Sequence, residues 1–221
     1  MIYQMQLIKG LFRPRDNFYS LSRAEQIRGL WPRMAALVIF SVVLSFLSSF
    51  LGIQGESVSA YLADVNQTAH EWQKMLFAIG ASIWGLLYPL LFIFIPALLF
   101  WTFLEVDFRK VLALQSIVFL IYLIEMCLVM LLNWYFAIPR ESSPFSLGVL
   151  VQQATDKQLI ISFFSSISIF RIWAIILQYQ FLKGATEREP RFVFLLIMTI
   201  TIFFWVFSAL FTSIHIERLF S

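Results

Sequence analysis

The chain has 221 residues, 60% of them apolar, 25 of them phenylalanine and only 13% charged. A soluble domain carries about a quarter charged residues because its surface must face water, so this composition excludes an ordinary water-soluble globule. The net charge of +3 decides little; where the charges lie decides more.

Residues 1–33 carry Lys9, Arg13, Arg15, Arg23, Arg28 and Arg33 spread along an amphipathic stretch. No small-residue cleavage pattern follows the first apolar block, so this segment does not read as a secretory signal and is expected to stay with the chain. Residues 2–12 are apolar-rich, and Arg13-Pro14-Arg15-Asp16-Asn17 interrupts them. Ser22-x-x-Glu25 has the form of a capping box and predicts a short helix starting near Ser22. Its Leu21, Ile27, Leu30 and Trp31 alternate with Arg23, Glu25 and Arg28, as in a helix lying in a membrane interface with Trp31 at headgroup depth. Pro32 is expected to start the first span, where its missing N–H costs little. Arg13, Pro14, Arg15, Phe18 and Trp31 make up the expected interfacial or partner-facing surface.

Five apolar blocks follow, at about 34–51, 75–101, 111–136, 159–182 and 192–214. Each is long enough to cross a hydrocarbon core of about 30 Å as a helix. The predicted fold is therefore all-α: a basic leader over 1–33 and a transmembrane domain over 34–221 with five membrane helices. The second block holds Pro89 and Pro96. Two halves of about 13 residues could not each cross, so one kinked span is expected. Small residues recur every fourth position at Ser41, Ser45 and Ser49 in the first block and at Ala81 and Gly85 in the second, a spacing that lets helix backbones approach closely in lipid.

The connections alternate in basic content. Residues 1–33, the second connection and the fourth together hold eleven Lys and Arg, against four on the opposite side. Basic residues accumulate on the cytoplasmic side, so the expectation is N-terminus in and C-terminus out. A basic inner face also suits anionic lipid headgroups. Asn66-Gln67-Thr68 is a formal glycosylation sequon on the outer side.

Catalytic signatures do not appear: there is no Gly-rich phosphate loop, no Gly-x-Ser-x-Gly and no His-Glu-x-x-His. His70 and His215 have no Cys or carboxylate at metal-ligand spacing, and Cys127 is alone, so neither a metal, a cofactor nor a disulfide is expected. Two ionisable residues fall inside spans, Glu125 in the third and Arg171 in the fourth. Such residues usually face a bundle interior and have a partner. Counted from the inner ends, Glu125 lies about 21 Å deep and Arg171 about 18 Å deep, so antiparallel spans would bring them to one level. Gln115 and Gln178 match in depth nearer the inner side, giving a predicted polar seam between the third and fourth spans.

Leu11-Phe12-Arg13-Pro14 followed by Phe18, a short helix and a five-span hydrophobic domain resembles the Yip-domain family of membrane proteins. Eukaryotic members act in vesicle traffic and carry a long hydrophilic N-terminal region and a Gly/Tyr-rich segment near the second span. Here the leader has 33 residues and Tyr88-Pro89 lacks flanking glycines, which points away from trafficking. The chain is more similar to the compact bacterial members, some of which accompany ABC exporters in toxin resistance. That resemblance implies a non-enzymatic accessory protein that binds and supports another membrane protein, such as an exporter subunit, or a second copy of itself; nothing points to nucleic acid. The alternatives are a small transporter or channel using Glu125 and Arg171, and a trafficking adaptor.

Overall fold

The computed structural model describes residues 2–51, 67–136, 143–155 and 157–213. The sequon at Asn66 and the side chains of His70 and His215 lie outside the described residues. The chain divides into two compact units, 1–137 and 138–221.

The first unit opens with a folded cap. Strand β1 (Ile2–Gln4) pairs in parallel with β2 (Gln26–Arg28), in the register Ile2–Gln26, Tyr3–Ile27 and Gln4–Arg28. Parallel strands need a crossover of a dozen or more residues, and here it is made of two helices, α1 (Leu7–Phe12) and α2 (Pro14–Ser22). Pro14 sits at the first position of α2, where no N–H is needed. Met5, Leu11, Phe18, Leu21, Ala24 and Leu30 are buried and form the core of the cap. The expected interfacial helix starting near Ser22 is therefore corrected. Ser22 ends α2, its hydroxyl donating to the Tyr19 carbonyl at 3.0 Å, and residues 26–28 are extended because they complete the ribbon with β1.

Gly29 then turns the chain into α3 (Leu30–Phe50) with φ of 77°, a left-handed conformation open to glycine at little cost. Pro32, expected to start this helix, falls in its first turn, two residues after Leu30. Helix α4 (Gln67–Leu104) runs unbroken for 38 residues through Pro89 and Pro96, one helix rather than two halves. After a turn at Glu105, Asp107 Oδ1 accepts the Arg109 N–H at 2.8 Å and caps α5 (Phe108–Phe136). Helices α3, α4 and α5 pack on one another. Tyr88 and Phe92 of α4 meet Phe119 and Tyr122 of α5, with ring centroids 5.7 and 6.0 Å apart.

Helix α3 is inverted relative to a helix of a soluble protein. It buries Ser41, Ser45, Ser48 and Ser49 and exposes Ile39, Phe40, Val43, Phe46 and Phe50. In water that arrangement would leave an apolar surface far larger than soluble proteins tolerate; in lipid it is the expected one, since small polar residues belong at helix contacts. Gly85 shows how close that contact is. A Cβ added there would lie 2.7 Å from Ser45 Oγ and 3.0 Å from Val42 Cα.

The second unit holds α6 (Gly148–Gln152), α7 (Gln158–Ser165), α8 (Ile169–Ala185) and α9 (Pro190–Ser213). The fourth apolar block is thus not one continuous span. It breaks over residues 166–168, where Ser168 bridges to Ser146, the Leu147 N–H reaches Ile167 O at 3.0 Å, and the Ile169 N–H reaches Phe145 O at 3.1 Å. These bonds satisfy backbone groups that an uninterrupted helix would have satisfied itself. Helix α8 alone has 17 residues, about 25 Å of rise. Phe163 of α7 packs edge-on against Trp205 of α9, and Tyr179 of α8 against Phe194 of α9. Across the described residues, four helices are long and apolar enough to cross a membrane: α3, α4 from Met75 onward, α5 and α9. The fold is a mostly helical one that suits a multi-pass, membrane-embedded protein.

Candidate functional site

The cap contains a cleft of about 580 Å³, within the range of roughly 300–1,000 Å³ common for small-molecule sites. Three cations line it: Lys9 from α1, Arg13 from the α1–α2 junction and Arg33 from the first turn of α3. Leu7, Ile8 and Phe12 supply an apolar wall. These residues lie up to 27 positions apart in sequence. The parallel ribbon brings them together, because β2 returns the chain beside β1 and sets α3 next to the start of α1.

Arg33 is the residue whose environment asks for a ligand. Its Nη1 is shielded from solvent and has no hydrogen-bond partner among the described residues. A buried donor left unmet costs about 1–3 kcal/mol, and more for a charged group. Gly29 lies against this guanidinium: a Cβ placed on it would sit 3.7 Å from Arg33 Cζ. Among the described residues, no acidic side chain lines the cleft.

Beneath the cleft, the Tyr3 hydroxyl donates to Asn17 Oδ1, and Asn17 Nδ2 reaches the Gln6 carbonyl at 3.4 Å. Burial pushes the Tyr3 phenol above the ordinary tyrosine value, against the opposing pull of the Asn17 bond, the Gln6 backbone and the nearby Arg33 charge. The folded cap therefore keeps this proton at pH values where an opened cap loses it, so its stability is intact below pH of about 10 and falls as the pH rises further. Proteolytic protection of residues 1–33 should hold from pH 7 to 9 and weaken above about 10. Tyr3→Phe should lose that added alkaline sensitivity; an unchanged profile would remove Tyr3 from the account.

The cap is fastened to the helices at two points. Lys110 Nζ donates to the Ser22 carbonyl at 2.6 Å. Gly10 of α1 lies so close to α5 that a Cβ there would come within 2.6 Å of Ile117 Cδ1.

Of the residues expected to form a partner surface, Arg15 and Trp31 are exposed, Pro14 is half-buried and Arg13 lines the cleft. Phe18 is corrected: at 5% exposure it belongs to the cap core. Glu125 is half-buried on α5 in the first unit. Arg171 lies in the second unit, in the first turn of α8, where its N–H meets the capping Ser168 Oγ at 3.2 Å. Its expected place in the middle of an uninterrupted span is corrected by the break at 166–168. Gln115 and Gln178 are both buried, Gln115 beside Ser116, whose hydroxyl returns to the Leu112 carbonyl at 2.8 Å.

Sequence reasoning missed the clustering of Lys9 and Arg33 with Arg13. The spacing of Lys9 and Arg13, four apart, was visible; the return of Arg33 depends on a three-residue ribbon too short to announce itself. No family model, no curated protein and no solved structure matches the chain.

Proposed function

We propose that this chain is a non-enzymatic accessory protein of a membrane, binding and supporting a membrane partner, with an ABC-type exporter of the bacterial plasma membrane as the partner class. In this reading the chain crosses five times, with α7 and α8 together as an interrupted fourth crossing, and the cap lies on the cytoplasmic side. The observation that carries it is the pairing of an inverted, lipid-suited α3, with Trp31 exposed in its first turn, and a folded cap that displays Phe12 and Arg15 outward. Aromatic and arginine side chains on a rigid support are the kind that anchor protein contacts. Gentle detergent extraction from the native membrane should recover the chain with a stoichiometric membrane partner. Recovery of the chain alone, with full activity after reconstitution, would overturn the reading.

A second reading, a small transporter, is favoured by the interruption at 166–168, because discontinuous helices are where transporters hold substrates and coupling ions. Reconstituting the chain alone in liposomes separates the two. The accessory reading expects no ion flux from the chain by itself. The transporter reading expects flux, with Glu125→Gln and Arg171→Gln each lowering it.

A further inference from the structure

We infer that the cleft between α1 and the start of α3 is a binding site for the phosphate of an anionic phospholipid headgroup, a role that deepens the accessory reading and rests on the same cap. Three observations converge. Lys9, Arg13 and Arg33 surround one space without an opposing carboxylate among the described residues. Arg33 lines the cleft, its Nη1 has no hydrogen-bond partner among the described residues, and a planar guanidinium is well matched to phosphate oxygens. The rest of the described wall is Gln6 with the apolar Leu7, Ile8 and Phe12, and two of these, Ile8 at 70% and Phe12 at 74% exposure, project outward beside the cations.

The last observation selects the source of the phosphate. Free phosphate is strongly hydrated and gains nothing from exposed Ile8 and Phe12. A phospholipid gains on both counts, its headgroup meeting the cations while the upper part of its acyl chains covers the apolar rim. Trp31, exposed in the first turn of α3, stands at the same end of that helix and suits headgroup depth. Arg33 is placed to hold the ligand, since it is half-buried with its guanidinium close to Gly29, whereas Lys9 and Arg13 are exposed and contribute attraction.

The test uses the full chain in a neutral detergent, with native mass spectrometry reading lipid retained per protein. Added phosphatidylglycerol should be kept in preference to phosphatidylcholine. Lys9→Gln with Arg13→Gln changes exposed residues only and should weaken phosphatidylglycerol retention about thirtyfold, equivalent to about 2 kcal/mol for two surface cations. Arg33→Lys should bind more weakly than the parent, because a point charge replaces a planar fork. A control removing the same charge elsewhere, Arg15→Gln with Arg109→Gln, should leave retention unchanged. Equal loss in the control would show diffuse attraction and overturn the site. Displacement of the lipid by inorganic phosphate at equal concentration would assign the cleft to a free anion and overturn the lipid. Partner capture is read separately, so loss of the accessory reading leaves this result standing and the reverse also holds.

Discussion

Gly85→Ala should destabilise the first unit by about 1–3 kcal/mol, the usual cost of forcing atoms into a filled contact. The added methyl would lie 2.7 and 2.8 Å from Ser45 Oγ and Cβ and 3.0 Å from Val42 Cα. Ser45 can rotate its hydroxyl, but the Val42 backbone cannot move without α3 moving, and Gly85→Leu should prevent α3 and α4 from seating at all. Gly80 is the internal control. It lies on the same helix with nothing within 4 Å of a Cβ, so Gly80→Ala should be neutral or stabilising by up to about 1 kcal/mol from helix propensity. Thermal unfolding in detergent, followed by loss of monodisperse protein, reads both. Combining Gly85→Ala with Ser45→Gly should recover part of the loss, because two of the three short contacts vanish and the backbone one remains. Equal stability of Gly85→Ala and Gly80→Ala would mean the helices are not held at this point.

The long helices were legible because hydropathy over twenty residues is insensitive to detail. The predicted blocks at 34–51, 75–101, 111–136 and 192–214 overlap α3, α4, α5 and α9, with ends displaced by a few residues, most of all where polar residues 67–74 extend α4. What hydropathy could not show is the break at 166–168. Ser165, Ser166 and Ser168 are neutral on any such scale, and neither Gly nor Pro marks the place. The interruption is set from outside by the 145–147 segment, whose backbone competes for the hydrogen bonds. The cap failed for the complementary reason. Ser22-x-x-Glu25 is locally a good helix start, yet pairing with residues 2–4 satisfies the same backbone and also buries Leu21 and Ala24. Tertiary burial overrode a local preference worth about 1 kcal/mol. The cationic cleft is a consequence of that ribbon, so a short interfacial helix starting near Ser22 could not have assembled it.

Phe18→Ala should open the cap while leaving α3, α4 and α5 folded. Phe18 is 5% exposed among Met5, Leu11, Leu21 and Leu30, and removing a buried phenyl ring costs about 3–5 kcal/mol. That loss falls on a small body. Two helices of six and nine residues and two strands of three cannot stand alone, since helices this short are marginal in water without packing. The fastenings to the helices, Lys110 to the Ser22 carbonyl and Gly10 against Ile117, both depend on α1 and α2 being formed. They should therefore fail together with the core rather than one by one. Trypsin reads the outcome directly, because Lys9, Arg15, Arg23 and Arg28 lie in the cap and are exposed, and cleavage needs a locally unfolded backbone. Phe18→Ala should be cut in this segment at least tenfold faster than the parent, with the thermal transition of the helices unchanged. Phe12→Ala removes an equally large ring that is 74% exposed and should leave the cutting rate as it was, though its place at the cleft rim predicts weaker lipid retention. Similar protection in Phe18→Ala and the parent would mean that the leader is held by the membrane surface rather than by its own core, and the cleft would then lose the scaffold that positions Arg33.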